Sequence, residues 1–143
     1  MAVEEFEHKY EITGRDFANA GRVSTSIKDT LKRLGIQPAI VRRVAIASYE
    51  AEMNVVMYAT NAQVKLRVSP EAVSIEIEDN GPGIEDIGLA MQEGYSTATP
   101  EMREMGFGAG LGLPNIRKNA DEFVVTSEVG RGTKLHISVH LCP

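Results

Sequence analysis

The sequence is poor in cysteine, has no excess of basic residues and contains no long apolar run. Its single cysteine, Cys142, leaves no partner for an internal disulfide. No apolar run approaches the ~18 residues of a membrane span, and the charged N-terminal residues do not resemble a secretion signal. The 15 basic and 20 acidic residues give a net charge of −5, which disfavours diffuse attraction to nucleic acid. We therefore expect a cytoplasmic protein that holds any anionic ligand by local geometry.

No feature divides the chain, since it contains no internal repeat, no low-complexity tract and no linker. Its 143 residues are close to the ~150 residues of one domain. A chain of this size buries roughly two-thirds of its unfolded surface, so its core needs no covalent staple. We expect a single domain over residues 1–143.

The first half of the chain predicts one strand and two helices. Glu5–Ile12 alternates between apolar and charged residues, as a half-buried strand does. Apolar residues then recur at three- and four-residue steps over Phe17–Leu34, with Asp16 as the expected N-cap of this helix. A second helix is expected over about Pro38–Ala59, because its proline suits a first turn. This second helix is apolar nearly all round, so we expect it to be largely buried.

The second half reads mainly as short strands. The expected strands are Val64–Val68, Val73–Asp79, Phe123–Ser127 and Thr133–Leu141, and short helices are expected near Asp86–Glu93 and Leu113–Ala120. The last two strands form a hairpin around three residues that include two glycines. Together the elements predict an α+β two-layer sandwich, with a mixed, mostly antiparallel sheet and the helices on one face.

An aspartate ends the apolar face of the third predicted strand. Side chains two apart share a face, so Asp79 points the same way as the apolar residues of Val73–Ile77. Such a carboxylate must find donors or shift its pKa. In the loop that follows, Gly81 and Gly83 allow the backbone to approach a flat ligand. Asp79 would then accept a hydrogen bond from an exocyclic amine of that ligand. The alternative is that Asp79 caps the following turn.

The buried second helix carries two polar side chains one turn apart. Glu50 and Asn54 lie on one face of this helix. An asparagine oxygen suits Mg²⁺, and a glutamate can activate a nearby hydroxyl. The alternative is a hydrogen bond between the two side chains on a partly exposed face. Glu52 lies on nearly the opposite side, where we expect solvent or a partner surface.

A glycine-rich loop precedes the last predicted helix. Gly106–Leu113 offers free N–H groups next to a helix N-terminus, which suits a polyphosphate. The loop has neither the preceding strand of a dinucleotide-binding turn nor a Gly-Lys-Ser/Thr ending. A glycine loop alone is weak evidence, and Gly130–Thr133 alone is typical of a hairpin turn. The hydroxyl of Thr133 gains a meaning only if it lies beside Asp79 on the sheet.

In this order, the four pieces resemble the GHKL ATPase superfamily, which includes sensor histidine kinases, Hsp90, type II topoisomerases and MutL. The matching positions are Glu50 and Asn54, then Asp79, Gly81 and Gly83 (the first glycine box), then Gly108, Gly110, Gly112 and Leu113 (the second glycine box), and finally Gly130, Gly132 and Thr133. The resemblance implies the Bergerat fold, with ATP between helices and sheet beneath a mobile lid. That lid would be about residues 95–110.

The resemblance also implies roles for these positions. Asp79 would accept a hydrogen bond from the adenine amine, with support from Thr133. Asn54 would hold Mg²⁺, and Glu50 would be the catalytic base. The expected ATP-binding residues are Asn54, Asp79, Gly81, Gly83, Gly108, Gly110, Leu111, Gly112, Leu113 and Thr133. Arg103 and Lys118 are further candidates for steadying the transferred phosphoryl group.

Within the superfamily, the layout is similar to the stand-alone serine/threonine kinases of the anti-sigma-factor type. The stretches Gly94–Thr97, Gly110–Pro114 and Asp121–Phe123 are especially similar to the switch kinases of bacterial stress signalling. The switch kinases also have the Tyr-Ala found at residues 58–59, where many anti-sigma kinases have His-Gly. The lid, which includes Thr99–Glu104, looks longer here. This resemblance implies ATP-dependent phosphorylation of a small STAS-domain antagonist.

Two other functions are considered. An ATP-gated binding module or anti-sigma factor would regulate a sigma factor or another partner by lid ordering, with little or no phosphotransfer. A histidine kinase would need a phospho-accepting histidine on a dimerisation helix, but His8, His136 and His140 fall in predicted strands and are expected to face solvent. A homodimer stays open.

Overall fold

The computed structural model describes residues 5–92 and 112–141. The strands are β1 (Phe6–Thr13), β2 (Asn61–Val68), β3 (Ala72–Asn80), β4 (Glu122–Glu128) and β5 (Gly132–His140). The α-helices are α1 (Arg22–Arg33), α2 (Pro38–Tyr58), α3 (Ile87–Ala90) and α4 (Gly112–Asn119), and a 3-10 turn covers Phe17–Asn19. Within these two ranges, no helix has the length and apolarity needed to cross a membrane.

The strands form one five-stranded sheet in the order β1-β2-β3-β5-β4. Every pairing described is antiparallel, so the parallel pairing that a mixed sheet would contain is not among them. Alternate residues of β2 and β3 are buried, because one face of the sheet packs against the helices. The prediction of a two-layer α+β sandwich is confirmed.

Helix α2 lies at the centre of the helical layer. It packs against α1, α4 and the sheet, and it is buried on most of its circumference, as its apolar sequence predicts. Its buried residues are Val41, Val44, Ala47, Ser48, Ala51, Glu52, Met53, Val55, Val56 and Met57. A polar side chain on α2 therefore meets another element rather than open water.

The first helix begins later than its apolar spacing predicts. Asp16 does not cap it, because the Asp16 carboxylate accepts from Asn19 Nδ2 at 3.0 and 2.8 Å. The chain makes a 3-10 turn, and α1 begins at Arg22 after Gly21, whose φ of +97° is left-handed. The prediction of Asp16 as the N-cap is wrong, since the turn consumes this side chain locally.

The prediction that Glu52 faces solvent or a partner surface is also wrong. Its side chain is 2% exposed and accepts from the backbone N–H groups of Gly21 (3.1 Å), Val23 (3.2 Å) and Ser24 (2.8 Å). Helix α1 packs on this side of α2, and its first turn has N–H groups without intrahelical partners. Glu52 thus caps α1 from the neighbouring helix.

A second tie joins α2 to the turn between α4 and β4. Arg43 donates through Nε to the carbonyl of Asn119 at 3.2 Å and through Nη2 to Asp121 at 3.1 Å. The backbone N–H of His140 also donates to Asp121, at 2.7 Å. These donors, first His140 and then Arg43, hold the pKa of Asp121 below its usual value. The contacts fix the far end of α4 against α2.

The histidines lie on strands, as predicted. His8 and His140 are exposed and His136 is partly exposed. His136 and His140 lie on the face of the sheet that the helices leave uncovered, whereas His8 lies on edge strand β1 opposite the buried Leu66. Cross-strand carboxylates accompany two of them, with Glu76 at 3.6 Å from His136 and Glu122 at 3.9 Å from His140. Each is a strand residue near solvent, as predicted.

Candidate nucleotide site

The Asp79 carboxylate lies at the end of β3 and points across to β5. Its Oδ1 accepts from the backbone N–H of Thr133 at 3.0 Å, because the β3–β5 register that pairs Glu78 with Lys134 places Thr133 beside Asp79. The condition set for Thr133 by the sequence analysis is therefore met. Among the described residues, no N–H of the following turn donates to Asp79, so the turn-cap alternative is not what the structure shows.

The Asp79 carboxylate has one oxygen available to a ligand. Burial raises the pKa of the Asp79 carboxyl, and the N–H of Thr133 lowers it in part. Within residues 5–92 and 112–141, no donor lies at hydrogen-bond distance from Asp79 Oδ2. A half-buried carboxylate with one oxygen still to be satisfied is a good acceptor for an amine on a bound ring.

Glycines bring the backbone close around this carboxylate. A Cβ at Gly132, where φ is +142°, would overlap the carbonyl oxygen of Asp79, and a Cβ at Gly81 would lie 3.2 Å from Asp79 Oδ1. At Gly83, where φ is +77°, a Cβ would lie 2.5 Å from the carbonyl oxygen of Glu128. The first glycine box and the final hairpin are thus packed directly against each other.

Ser127 joins three segments beneath the site. Its Oγ accepts from the backbone N–H of Ile84 at 2.7 Å, lies 2.8 Å from Thr133 Oγ1 and lies 3.1 Å from the carbonyl of Gly132. Ser127 belongs to none of the sequence motifs. The only available signal is strand alternation, which places it on the helix-facing side of β4, and its register with Thr133 emerges only in the folded hairpin.

Glu50 and Asn54 lie half-buried on one face of α2, as predicted. Glu50 Oε2 accepts from Asn115 Nδ2 of α4 at 2.8 Å, and the described residues show no hydrogen bond between Glu50 and Asn54. The alternative of a local pair along α2 is therefore not what the structure shows. A Cβ at Gly112 would lie 3.2 Å from Asn54 Oδ1, so the first turn of α4 faces both polar side chains.

The second glycine box is described only at its end. Gly112 and Leu113 begin α4, and the Leu113 side chain is buried in the core. Gly108, Gly110, Leu111, Arg103 and the expected lid lie outside the described residues. Lys118 is an exposed residue in the last turn of α4. Leu113 would therefore reach a ligand only through its backbone.

The C-terminal end of α2 connects the two halves of the site. A Cβ at Gly81 would lie 3.1 Å from the Cα of Ala59, and the N–H of Thr60 donates to the carbonyl of Asn80 at 2.7 Å. The first glycine box is therefore held against the end of the helix that carries Glu50 and Asn54. A groove beside α1, lined by residues such as Arg22 and Tyr49, contains none of the predicted site residues.

A strand-end aspartate held by a final hairpin, beside a buried helix with a glutamate and an asparagine one turn apart, defines a GHKL-type ATPase domain. The chain matches the family model described as "Histidine kinase-, DNA gyrase B-, and HSP90-like ATPase" over residues 39–143. The chain belongs to this family.

Two bacterial relatives are a serine/threonine-protein kinase and an anti-sigma factor. The chain is 31% identical over 112 residues to the serine/threonine-protein kinase RsbT of Bacillus subtilis, covering 76% of this chain and 78% of RsbT. It is also 31% identical over 101 residues to an anti-sigma F factor of a Thermoanaerobacter species, covering 71% of this chain and 63% of that factor.

A solved structure shows the same fold. The crystal structure of the RsbU and RsbW domains of Rv1364c from Mycobacterium tuberculosis superimposes with a TM-score of 0.61, and the match covers 94% of this chain and 32% of that one. The two sequences are 18% identical over the match, so this likeness supports the fold alone.

Proposed function

We propose that this protein binds MgATP and transfers the γ-phosphate to a serine or threonine hydroxyl of a partner protein. Membership of an ATPase family and similarity to a named serine/threonine-protein kinase support this function. The observation that carries the proposal is Asp79, a half-buried carboxylate whose Oδ1 is held by Thr133 while no described donor reaches Oδ2.

The adenine ring would lie against the first glycine box. Its exocyclic amine would donate to Asp79 Oδ2, because Oδ1 is already used by the backbone of β5. Thr133 would support this contact, and Ser127 would hold the Thr133 hydroxyl from the adjacent strand. Gly81 and Gly83 would allow the loop to approach the ring without a Cβ in between.

The phosphates and Mg²⁺ would lie between α2 and the N-terminus of α4. The described residues contain no cluster of three histidine, cysteine, aspartate or glutamate side chains that could bind a metal by itself. The site fits Mg²⁺ nevertheless, because this ion usually takes one or two protein oxygens and completes its shell with phosphates and water. Asn54 would supply such an oxygen, and the bound ion would neutralise charge on the triphosphate.

Glu50 would act as the base. As the partner's hydroxyl oxygen forms its bond to the γ-phosphorus, the bond from that phosphorus to the β,γ-bridging oxygen breaks and ADP leaves with the electron pair. The hydroxyl proton would pass to Glu50 and then to solvent. In such reactions the protein mainly positions the groups and stabilises charge. The remaining glycines of the second box, Gly108, Gly110 and Gly112, with Leu111 and Leu113, would contribute backbone N–H groups to the phosphates.

On the basis of the resemblance to switch kinases, we propose a small STAS-domain antagonist as the partner. The similarity to anti-sigma F factors favours a second candidate function. In that case ATP would order the lid and change the affinity for a sigma factor or another regulator, with little or no phosphotransfer. Both functions need the same nucleotide pocket, and they differ in their need for Glu50.

One experiment separates these functions. The full chain is titrated with ATP and ADP plus Mg²⁺ in a calorimeter and then incubated with γ-labelled ATP and candidate STAS proteins. For the kinase we expect Glu50→Gln to keep nucleotide affinity and to abolish transfer, while Glu78→Gln, an exposed change on the open face of the sheet, alters neither. Binding without transfer to any STAS protein would favour the ATP-gated module, and no nucleotide binding would refute both.

A further inference from the structure

Helix α4 lies antiparallel along the face of α2 that carries the proposed base. Three contacts in register show this direction: Gly112 lies beside Asn54, Asn115 donates to Glu50, and the Asn119 carbonyl accepts from Arg43. Between them, Ile116 is fully buried, and Leu113 and Pro114 are also buried. The two helices are therefore held together by apolar packing and by the Arg43 tie at the far end of α4.

The hydrogen bond from Asn115 to Glu50 has a different character from these structural contacts. It joins residues that are 65 positions apart, at 2.8 Å, through one carboxylate oxygen, Oε2. Of the residues that the structure describes, Asn115 is the only one that donates to Glu50. A single directional bond of this kind orients a carboxylate and leaves its other oxygen, Oε1, as the atom for a further contact.

The chemical type of the donor is informative. A neutral amide holds the carboxylate through a hydrogen bond and leaves its negative charge unpaired. An arginine or lysine at position 115 would form an ion pair, and a nearby positive charge makes a carboxylate a weaker proton acceptor. A neutral donor lowers the basicity of a carboxylate less than a cation does, so an amide suits a residue that orients a base.

We propose that Asn115 is a positioning residue that holds Glu50 Oε2, so that Glu50 Oε1 faces the hydroxyl of the phosphate acceptor. This inference rests on the proposed function, because it assigns an orientation to the base of that reaction. It adds a residue that none of the sequence motifs contains, and it gives the first turns of α4 a part in the chemistry beyond packing.

The test uses two near-isosteric changes, Asn115→Leu and Asn115→Asp, both of which remove the amide donor. With γ-labelled ATP and the STAS protein that the wild type phosphorylates, we expect both variants to lower kcat about tenfold to a hundredfold, since a hydrogen bond to a charged group is worth about 1.5–3 kcal/mol. The KM for ATP and the calorimetric affinity for ADP should change less than about twofold. If the lower kcat came from general damage to the fold, the affinity for ADP would fall as well.

Two controls make the result specific. Asn119→Leu removes a side-chain bond on the same helix, from Asn119 Nδ2 to the Asn115 carbonyl, and should leave kcat within about twofold. In the double variant Glu50→Gln with Asn115→Leu, the second change should not lower any further the residual transfer that long incubations with excess protein detect, because residues that act as one unit are not additive. Additive effects, or a wild-type kcat in both Asn115 variants, would overturn the inference while leaving the kinase intact.

A measurement without nucleotide addresses the bond itself. In the ¹⁵N-labelled full chain, Glu50→Ala should shift the side-chain amide protons of Asn115, and Glu78→Ala should not. Unchanged chemical shifts of the Asn115 amide protons in Glu50→Ala would refute the inference, even where the Asn115 variants are too unstable to assay. A wild type that binds no nucleotide, or transfers no phosphate, would refute the proposed function and this inference with it.

Discussion

At the scale of single residues, two acidic side chains in this protein are held by backbone N–H groups with opposite consequences. Asp79 accepts one such bond and has an oxygen to which no described group donates, whereas Glu52 accepts three and is almost fully buried. Asp79 is thus available to a ligand. Glu52 is not available, because both of its carboxylate oxygens accept hydrogen bonds from the start of α1.

Asp79→Asn should separate stability from binding. The raised pKa of Asp79 means that its charged form is disfavoured in the folded state, so this side chain costs stability once the pH exceeds its unfolded value. Asparagine keeps an acceptor for Thr133 and removes the charge. Without nucleotide, we expect a variant at least as resistant to thermal unfolding as the wild type at pH 7, with any advantage vanishing near pH 4.

The same variant should lose nucleotide affinity by about tenfold to a hundredfold, because the amine would meet an amide in place of a charged acceptor. Calorimetry with ADP measures this loss, and thermal denaturation between pH 4 and 8 measures the stability. If Asp79→Asn bound ADP as tightly as the wild type, the adenine assignment would be wrong.

Glu52→Ala should destabilise the protein by about 3 kcal/mol. The change leaves three N–H groups at the start of α1 without their acceptor, and buried donors without partners cost about 1–3 kcal/mol each before water and relaxation compensate. Chemical denaturation gives the free energy of unfolding. Glu78→Ala, which removes an exposed carboxylate from β3, should stay within about 0.5 kcal/mol of the wild type. Equal effects of the two changes would show that the cap has no energetic role.

At the scale of elements, the site depends on how closely the final hairpin approaches the end of β3. Gly132 has φ of +142° and sits against the Asp79 carbonyl, whereas Gly130 in the same turn has φ of +84° and no atom within 4 Å of its Cβ position. The two glycines thus differ in function. Gly130 allows a backbone conformation with positive φ. Gly132 allows such a conformation and also the close contact with the Asp79 carbonyl on the neighbouring strand.

The alanine variants of these glycines should differ in size of effect. Gly130→Ala should cost about 1–2 kcal/mol, since it only places a side chain in a left-handed conformation. Gly132→Ala should cost about 3 kcal/mol or more, because the added methyl also overlaps backbone that cannot move without breaking the β3–β5 pairing. Chemical denaturation of both variants checks the order. A Gly130→Ala effect as large as that of Gly132→Ala would place the origin in the conformation alone.

At the scale of the whole molecule, the candidate site lies where both layers meet. Asp79 and Thr133 come from the sheet, Glu50 and Asn54 come from the central helix, and the first turn of α4 faces that helix. A ligand that contacts all of these elements binds only the folded chain. Its binding energy therefore adds to the stability of the entire domain.

ADP with Mg²⁺ at about one hundred times its Kd should stabilise the protein by about 2.7 kcal/mol, which corresponds to a rise in Tm of several degrees. GDP carries the same phosphates but has a carbonyl where adenine has its amine, so it should stabilise far less. Thermal denaturation against nucleotide concentration makes the comparison. Equal shifts with ADP and GDP would show that the phosphates alone are recognised and that Asp79 does not read the base.

Several features of this protein are determined by local sequence. The alternation of Val73–Ile77 places Asp79 inward, and the apolar circumference of α2 predicts a buried helix. Both follow from local sequence, because the direction of side chains repeats every two residues in a strand and about every 3.6 residues in a helix. The spacing of Glu50 and Asn54 likewise places both on one face. For the same reason the two-layer fold follows from the order of the elements.

The contacts between elements were decided only by the tertiary structure. Asp79 meets Thr133 across 54 positions, Asn115 meets Glu50 across 65, and Glu52 meets Ser24 across 28. Each contact pairs a donor with an acceptor that no local period connects. Which donor reaches which acceptor depends on how distant helices and strands pack, and that packing is a property of the folded chain as a whole.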